Sequence, residues 1–229
     1  MSLSVMILAG GFATRMRPFT EKVPKSLLPV AGKAFIDWQL AQLKQNGIGQ
    51  VVLCVGYLGR QIEEHLAGKD YGLDILFSYD GDVQLGTGGA LKKAAGLAGE
   101  AFFVLYGDSY LDIDYRLVEA YWRRSGKEAL MTVFCNENRW DTSNVQYKDG
   151  NILAYSKQKQ DAGMQYIDYG LGILSASALE GYGTVFDLAD VYGSLAKKGR
   201  LAGYEAQKRF FEIGSTQGIK DLGERLKNR

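Results

Sequence analysis

The segment SVMILAGGFATRMRPF, residues 4–19, carries the reading on which the fold class turns. Ser4–Leu8 is a short apolar run that stops at Gly10-Gly11, the pattern of a buried strand entering a tight turn. Outward from it the chain alternates. Phe35–Gln45 places Phe35, Ile36, Leu40 and Leu43 at near-helical spacing and ends at Asn46-Gly47. Val51–Val55 predicts a second buried strand, Gly59–Leu66 a short helix and Leu73–Tyr79 a third strand. Gly89–Leu97 predicts a further helix, and Phe102–Tyr106 a fourth strand that ends at Gly107-Asp108. Strands separated by helices need crossover connections, so this half reads as parallel sheet covered on both faces.

The second half changes character. Ala129–Phe134, Val145–Lys148, Ile152–Ser156 and Ile167–Leu174 read as strands with little helix between them, and Asp149-Gly150 is a hairpin signal. Val185–Lys198 then predicts a helix, Leu201–Ala206 a strand and Thr216–Leu226 a closing helix. All three prolines lie between Pro18 and Pro29, which marks that stretch as a loop. No element is assigned between Gly107-Asp108 and Ala129. The expected fold is α/β: a Rossmann-like, doubly wound mixed sheet, mostly parallel, with an antiparallel elaboration in the second half, built as one domain over residues 1–229.

Composition narrows the class. The 229 residues are 46% hydrophobic and 23% charged, which excludes disordered and fibrous chains. Lys and Arg number 27 against 26 Asp and Glu, so the net charge of +1 gives no footprint for nucleic acid. No apolar run is long enough to span a membrane, and the N-terminal one is too short for a secretory signal, so a cytoplasmic protein is expected. Cys54 and Cys135 make neither a disulfide framework nor a zinc site and read as small core residues. The one histidine, His65, reads as a surface or partly buried residue.

The chemistry is concentrated in residues 8–38. A strand ending in a Gly-rich turn brings backbone N–H groups where a phosphate or base can approach, at the carboxyl ends of an open sheet. Arg15, Arg17, Lys22 and Lys25 follow closely. A loop of this length is uncommon unless functional. It has neither the Gly-Lys-Ser/Thr ending of a P-loop nor G-x-G-x-x-G, so ATPase and dehydrogenase readings fail on spacing.

The stretch resembles the signature of the sugar-1-phosphate nucleotidyltransferases: Gly10-Gly11, Arg15, Pro24-Lys25, Leu28-Pro29-Val30 and Gly32-Lys33. Gln84-Leu85-Gly86-Thr87-Gly88-Gly89-Ala90 resembles that family's nucleobase and ribose loop, and Gly107-Asp108 its Gly-Asp. The resemblance implies a nucleotide site formed by Leu8, Ala9, Gly10, Gly11, Thr14, Arg15, Lys25, Gln84, Gly86 and Thr87. It implies catalytic roles for Arg15, Lys25 and Asp108, and a Mg²⁺ ion held by Asp108 and Glu212. The glutamate stands in Phe211-Glu212-Ile213-Gly214-Ser215, where the family has Asp-x-Gly-Thr. Gly107, Asn144, Ser156, Lys157, Asp168 and Gly170 are implied to bind the sugar phosphate. Ser156-Lys157 replaces the family's common Glu-Lys, and Asp168-Tyr169-Gly170 its Asn-Ala-Gly. The nucleotide half would end near residue 115 and the sugar-phosphate half begin near 116.

These residue types suit nucleotidyl transfer, in which a sugar-phosphate oxygen displaces pyrophosphate from the α-phosphate. Such chemistry asks for positioning and charge neutralisation, and no general base, because the attacking phosphate is already ionised. QLGTGGALKKA and FFVLYGDSYLDIDY look most like the D-glycero-α-D-manno-heptose 1-phosphate guanylyltransferases, so GTP and that heptose phosphate are the expected partners. Uridylyl transfer to N-acetylmuramic acid 1-phosphate or a related hexose phosphate is the alternative. A non-catalytic sugar-nucleotide-binding subunit is the alternative of another class. No nucleic-acid or membrane partner is expected, and a homo-oligomer is compatible with the reading.

Overall fold

The computed structural model describes residues 2–158 and 162–227. Its strands are β1 (Ser4–Leu8), β2 (Pro29–Val30), β3 (Lys33–Ala34), β4 (Gln50–Val55), β5 (Asp74–Tyr79), β6 (Ala101–Tyr106) and β7 (Ser109–Tyr110). They continue as β8 (Ala129–Cys135), β9 (Val145–Lys148), β10 (Asn151–Tyr155), β11 (Tyr166–Ser175), β12 (Leu201–Glu205) and β13 (Phe211–Glu212). The helices are α1 (Phe35–Gln45), α2 (Gly59–Leu66), α3 (Gly86–Ala98), α4 (Tyr115–Ser125), α5 (Leu188–Lys197) and α6 (Thr216–Lys227).

Nine strands form one sheet in the order β5-β4-β1-β6-β11-β8-β12-β10-β9. The first four pair in parallel, as the alternation of strands and helices requires. β11 is antiparallel to both β6 and β8, β12 returns parallel to β8, and β10 and β9 close the edge antiparallel. From β1 the chain winds outward through β4 and β5, then β6 returns to the other side of β1. That reversal opens a crevice at the carboxyl ends of β1 and β6, where open α/β sheets bind ligands.

Period-two alternation divides the core between the sheet faces. Val5, Ile7, Val51, Leu53, Phe103 and Leu105 face α1, α2 and α4 through Ile36, Leu40, Leu43, Ile62, Tyr115 and Val118. Met6, Val52, Cys54, Phe102 and Val104 face α3 and α5 through Leu91, Ala94, Val191 and Leu195. A small third cluster seats α6 by Leu222 and Leu226 against Phe35, Tyr110 and Ile213.

Several boundaries differ from the pattern reading, each for a physical reason. α4 has no predicted counterpart: Tyr115, Tyr121 and Trp122 dilute its helical signature, yet Asp114 caps it by accepting from Arg116 N–H at 2.9 Å. α3 starts at Gly86, three residues early, because Phe186 O accepts from Gly88 N (3.0 Å) and Gly89 N (3.2 Å). Val185 and Phe186 therefore lie outside α5. β10 stops at Tyr155, leaving Ser156 beyond the strand, and the proline-bearing loop contains two 3₁₀ turns and the start of β2. The two-residue pairs β2–β3 and β7–β13 are also absent from the pattern reading, and Cys135 is half-buried, not core.

Between Asp168 and Gly172 the pairing of β11 with β8 slips, so Tyr169, Gly170 and Leu171 bulge opposite Thr132. The buried Thr132 hydroxyl donates to Leu171 O at 2.6 Å and holds the bulge. Thr132→Val should remove that donor and cost about 1–3 kcal/mol by urea denaturation. A loss below a few tenths of a kcal/mol would mean that the bulge holds without it.

Candidate active site

The crevice is closed at its base by Gly107 N–H, which donates to Leu8 O at 3.0 Å and ties the end of β6 to the end of β1. A Cβ at residue 107 would run into the Leu8 carbonyl. Ala9 N–H donates to Cys54 O at 2.9 Å, adding the end of β4. Gly10 lies against Gly56 N and the Asp80 carboxylate, whereas Gly11 borders open space. Ala13 takes a left-handed conformation that turns the chain into the 3₁₀ turn Thr14–Met16.

From Phe12 to Val23 the loop is mostly exposed, and buried Met16 and Thr20 anchor it. Thr20 donates to Ala13 O at 2.9 Å, Tyr57 OH to Glu21 O at 2.8 Å, and Gln61 Nε2 to Lys22 O at 3.1 Å. Thr14, Arg15, Arg17 and Lys22 stand in solvent. Lys25 differs. It is half-buried, and its Nζ meets Asp108 Oδ2 at 2.7 Å.

Asp108 sits in the turn between β6 and β7, which α1 holds from behind. Gln39, 1% exposed, donates from Nε2 to Tyr106 O at 3.1 Å and Ser109 O at 2.8 Å, on either side of Gly107-Asp108. Glu212 reaches the same place through β13: it pairs with Ser109, and Ile213 N–H donates to Asp108 O at 3.0 Å. The Glu212 carboxylate accepts from Gly214 N–H and from Ser215 Oγ, the latter at 2.8 Å, at the start of α6. Lys25 Nζ also lies beside Gly214. Residues 25, 108 and 212, far apart in sequence, thus share one spot.

Two carboxylates offer a hard, all-oxygen donor set, which fits Mg²⁺. Among the described residues no group of three or more His, Cys, Asp or Glu could hold a metal. An ion here would need phosphate oxygens or waters to complete its shell, the usual arrangement where Mg²⁺ works on a phosphorylated substrate.

On the sugar side, Gly170 (φ +94°) packs onto Ser109, leaving no room for a side chain. Asn144 Oδ1 accepts from Asp168 N–H at 2.9 Å, and Ser156 N–H donates to Asn144 O at 3.1 Å. Asp168 is turned inward: Oδ2 accepts from Tyr106 OH (2.7 Å) and Tyr155 OH (3.4 Å), and Oδ1 from Gly170 N–H (3.0 Å). Burial pushes its carboxyl above the ordinary range, against the pull of those hydrogen bonds and of Lys157. Exposed Lys157 holds its Nζ 5.2 Å from the Tyr106 ring centroid.

The glycine-rich stretch divides between two jobs. Gln84 Nε2 donates to Gly10 O at 3.1 Å, on the crevice. Thr87 turns away, donating to Asp187 Oδ1 at 2.8 Å while accepting from Leu188 N–H at 2.8 Å. With Gly88 and Gly89 amides bound to Phe186 O, the α3 N-terminus is packed against its own chain, and a nucleotide contact by Thr87 rests on the resemblance alone. Sequence reasoning missed Asp80. Its Oδ2 lies beside Gly10 and Gly56, 3.5 Å from Leu85 N, and burial raises its carboxyl from the usual value. An acid at the end of a predicted parallel strand is the available signal, the same one that singles out Asp108. His65 bonds Asp37 Oδ1 at 2.9 Å and takes no part.

Comparison with known proteins gives the family. Residues 4–144 match the family model described as Nucleotidyl transferase. The chain is 32% identical over 228 residues to N-acetylmuramate alpha-1-phosphate uridylyltransferase of Neisseria meningitidis serogroup B, covering 96% of each. It is 31% identical over 148 residues to D-glycero-alpha-D-manno-heptose 1-phosphate guanylyltransferase of Campylobacter jejuni, covering 64% of this chain and 65% of that one. The crystal structure of HddC from Yersinia pseudotuberculosis superposes with a TM-score of 0.82 at 22% identity, covering 98% of this chain and 99% of the other. The chain belongs to the nucleotidyl transferase family. It carries the α/β sheet expected of it, and no helix among the described residues is long and apolar enough to cross a membrane.

Asp168 makes a pH prediction. Its raised carboxyl means the folded chain binds a proton at a pH where the unfolded chain has lost it. Its contribution to stability is therefore largest at acid pH and is lost as pH rises through the raised value. Asp168→Asn removes this term, so its stability relative to the parent should grow from acid to neutral pH in urea melts. A difference flat with pH would refute the burial cost.

Proposed function

We propose that this protein transfers a nucleotidyl group from a nucleoside triphosphate to a sugar 1-phosphate, releasing pyrophosphate. One observation carries the reading: Lys25, Asp108 and Glu212 converge at the switch-point crevice, with the Gly10 turn on one side and Lys157 on the other. A phosphate pocket without its own cation or metal-holding oxygens could bind but not catalyse.

The chain's residues then divide the work. The Gly10-Gly11 turn and Gln84 receive the nucleotide, Arg15 and Lys25 meet the triphosphate, and Lys157 meets the sugar phosphate. A sugar-phosphate oxygen forms the new bond to the α-phosphorus, and the α–β bridging bond breaks with its electron pair on pyrophosphate. Lys25 stabilises the charge that gathers on the leaving group. No side chain has to remove a proton from the nucleophile. Asp108 and Glu212 are the residues that would hold Mg²⁺, which when bound neutralises phosphate charge.

For the finer identity we favour GTP and D-glycero-α-D-manno-heptose 1-phosphate. The stretches around Gln84–Ala90 and Gly107–Tyr115 support it, and Asp80 beside the Gly10 turn is an acceptor for a ring N–H edge. Guanine presents two adjacent donors there, whereas uracil presents one between two carbonyls. The full-length match to an N-acetylmuramate 1-phosphate uridylyltransferase supports uridylyl transfer as the second reading. A site in the cytoplasm, where the free thiols stay reduced and nucleoside triphosphates are made, suits either.

A panel of nucleoside triphosphates against heptose, mannose, glucose and N-acetylmuramic acid 1-phosphates, read by pyrophosphate release, should peak with GTP and the heptose. A peak with UTP would select the second reading, and no release with any pair would reject the enzyme. Lys25→Ala should lower turnover by about 10²–10³, roughly 2.7–4 kcal/mol, by analogy with loss of one preorganised donor. Near-normal turnover in a folded variant would remove Lys25 from the machinery. Glu212→Gln should lower turnover steeply and raise the magnesium requirement, with Asp108→Asn behaving alike and the double variant far from additive. An unchanged magnesium dependence would leave Glu212 as the residue that holds Ser215, whose hydroxyl caps α6 by accepting from Gly218 N–H.

A further inference from the structure

The half-buried carboxylate of Asp168 is unused by the chemistry above, although it lies in the stretch that resembles a sugar-binding motif. Its surroundings already engage it. Tyr106 OH, Tyr155 OH and Gly170 N–H occupy its two oxygens, and Asn144 fixes its backbone. A carboxylate pointing into a phosphate pocket would also repel the phosphate.

What Asp168 does reach is Tyr106. The ring touches both groups, its hydroxyl edge 2.7 Å from Asp168 Oδ2 and its centroid 5.2 Å from Lys157 Nζ. We propose that Asp168 is a positioning residue that acts through the Tyr106 ring on the ammonium of Lys157. The inference rests on the reading of Lys157 as the sugar-phosphate cation. A phenol that donates to a carboxylate is polarised toward it, so its ring gains electron density and attracts a cation over its face more strongly. The negative charge at the ring's hydroxyl edge adds its own attraction. Lysine has a long, rotamer-rich side chain, and ordering it only when substrate arrives would weaken binding. Stacked over Tyr106, the ammonium is placed beforehand.

The test combines Asp168→Asn, Tyr106→Phe and Lys157→Ala with both double variants that contain Lys157→Ala. Kinetics use the nucleotide and sugar 1-phosphate that give the best turnover in the panel. Asp168→Asn and Tyr106→Phe should each raise KM for the sugar phosphate about 3-fold, short of the roughly 30-fold that loss of a whole cation–π contact could cost, because the ring stays. KM for the nucleotide should stay unchanged. In the Lys157→Ala background neither substitution should raise KM further. A persisting effect there would mean that Asp168 acts on the sugar itself or on the fold, and would overturn the proposal. Should Asp168→Asn fail to fold, Tyr106→Phe carries the same test, because it keeps the ring and removes only the hydroxyl.

A second readout needs no turnover. In protein with ¹³C-dimethylated lysines, the Lys157 methyl resonance, assigned by its loss in Lys157→Arg, should be displaced upfield by the Tyr106 ring current. Asp168→Asn should move it toward the position of exposed lysines. An undisplaced resonance, or one indifferent to Asp168→Asn, overturns the positioning role. If Lys157→Ala leaves KM unchanged while the ring-current displacement and its Asp168 dependence are present, the positioning stands and the assignment of Lys157 to the sugar phosphate fails.

Discussion

Everything in the site hangs from the parallel pairing of β1 with β6, closed by the hydrogen bond from Gly107 N–H to Leu8 O. Two turns must leave adjacent strand ends in opposite directions without colliding, and only a residue lacking Cβ lets β6 end so close to the Leu8 carbonyl. The Gly10 turn goes toward β4 and the Asp80 side, and the Asp108 turn goes toward β11 and β13. A crevice flanked by both is the consequence. Because its walls are strand ends held in a nine-stranded sheet, the groups on them are positioned by core packing, not by loop conformation.

The charges in that crevice are arranged in pairs that offset one another. Lys25 rests on Asp108, and Lys157 stacks above a tyrosine that is hydrogen-bonded to Asp168. An isolated buried charge is costly, whereas a paired one can be held near its working place. The two pairs differ in how they meet. The Lys25–Asp108 pair is a direct contact at the crevice, while half-buried Asp168 acts through hydrogen bonds beside the sheet bulge that Thr132 and Gly170 shape. The bulge in β11 thus does two things: it brings Gly170 against Ser109 and sets Asp168 against the Tyr106 hydroxyl.

Much of this arrangement is legible in the amino-acid sequence, for reasons tied to particular residues. Gly10-Gly11 after an apolar run and Gly107-Asp108 after another are local signals, since a turn at a strand end is written in the turn residues themselves. Where the signal is diluted or nonlocal, pattern reading fails. The aromatic-rich α4 escapes it, and so does Asp80, although it follows β5 much as Asp108 follows β6. Gly88 and Gly89 look like an open cradle, but their amides are bound to Phe186 O, nearly a hundred residues away.

The sequence by itself determined the alternation of strands and helices, the glycine turns and the identities of the candidate cations and carboxylates. Those are properties of neighbours along the chain: periodicity, turn preference and charge. Tertiary structure alone decided which of them meet. Glu212 reaches Asp108 only because the two-residue strand Phe211–Glu212 pairs with Ser109-Tyr110, and nothing local predicts so short a pairing. Likewise, whether Asp168 faces a ligand or the interior depends on a slip in register opposite Thr132. A register is set by the packing of both sheet faces at once, and no single segment contains that information.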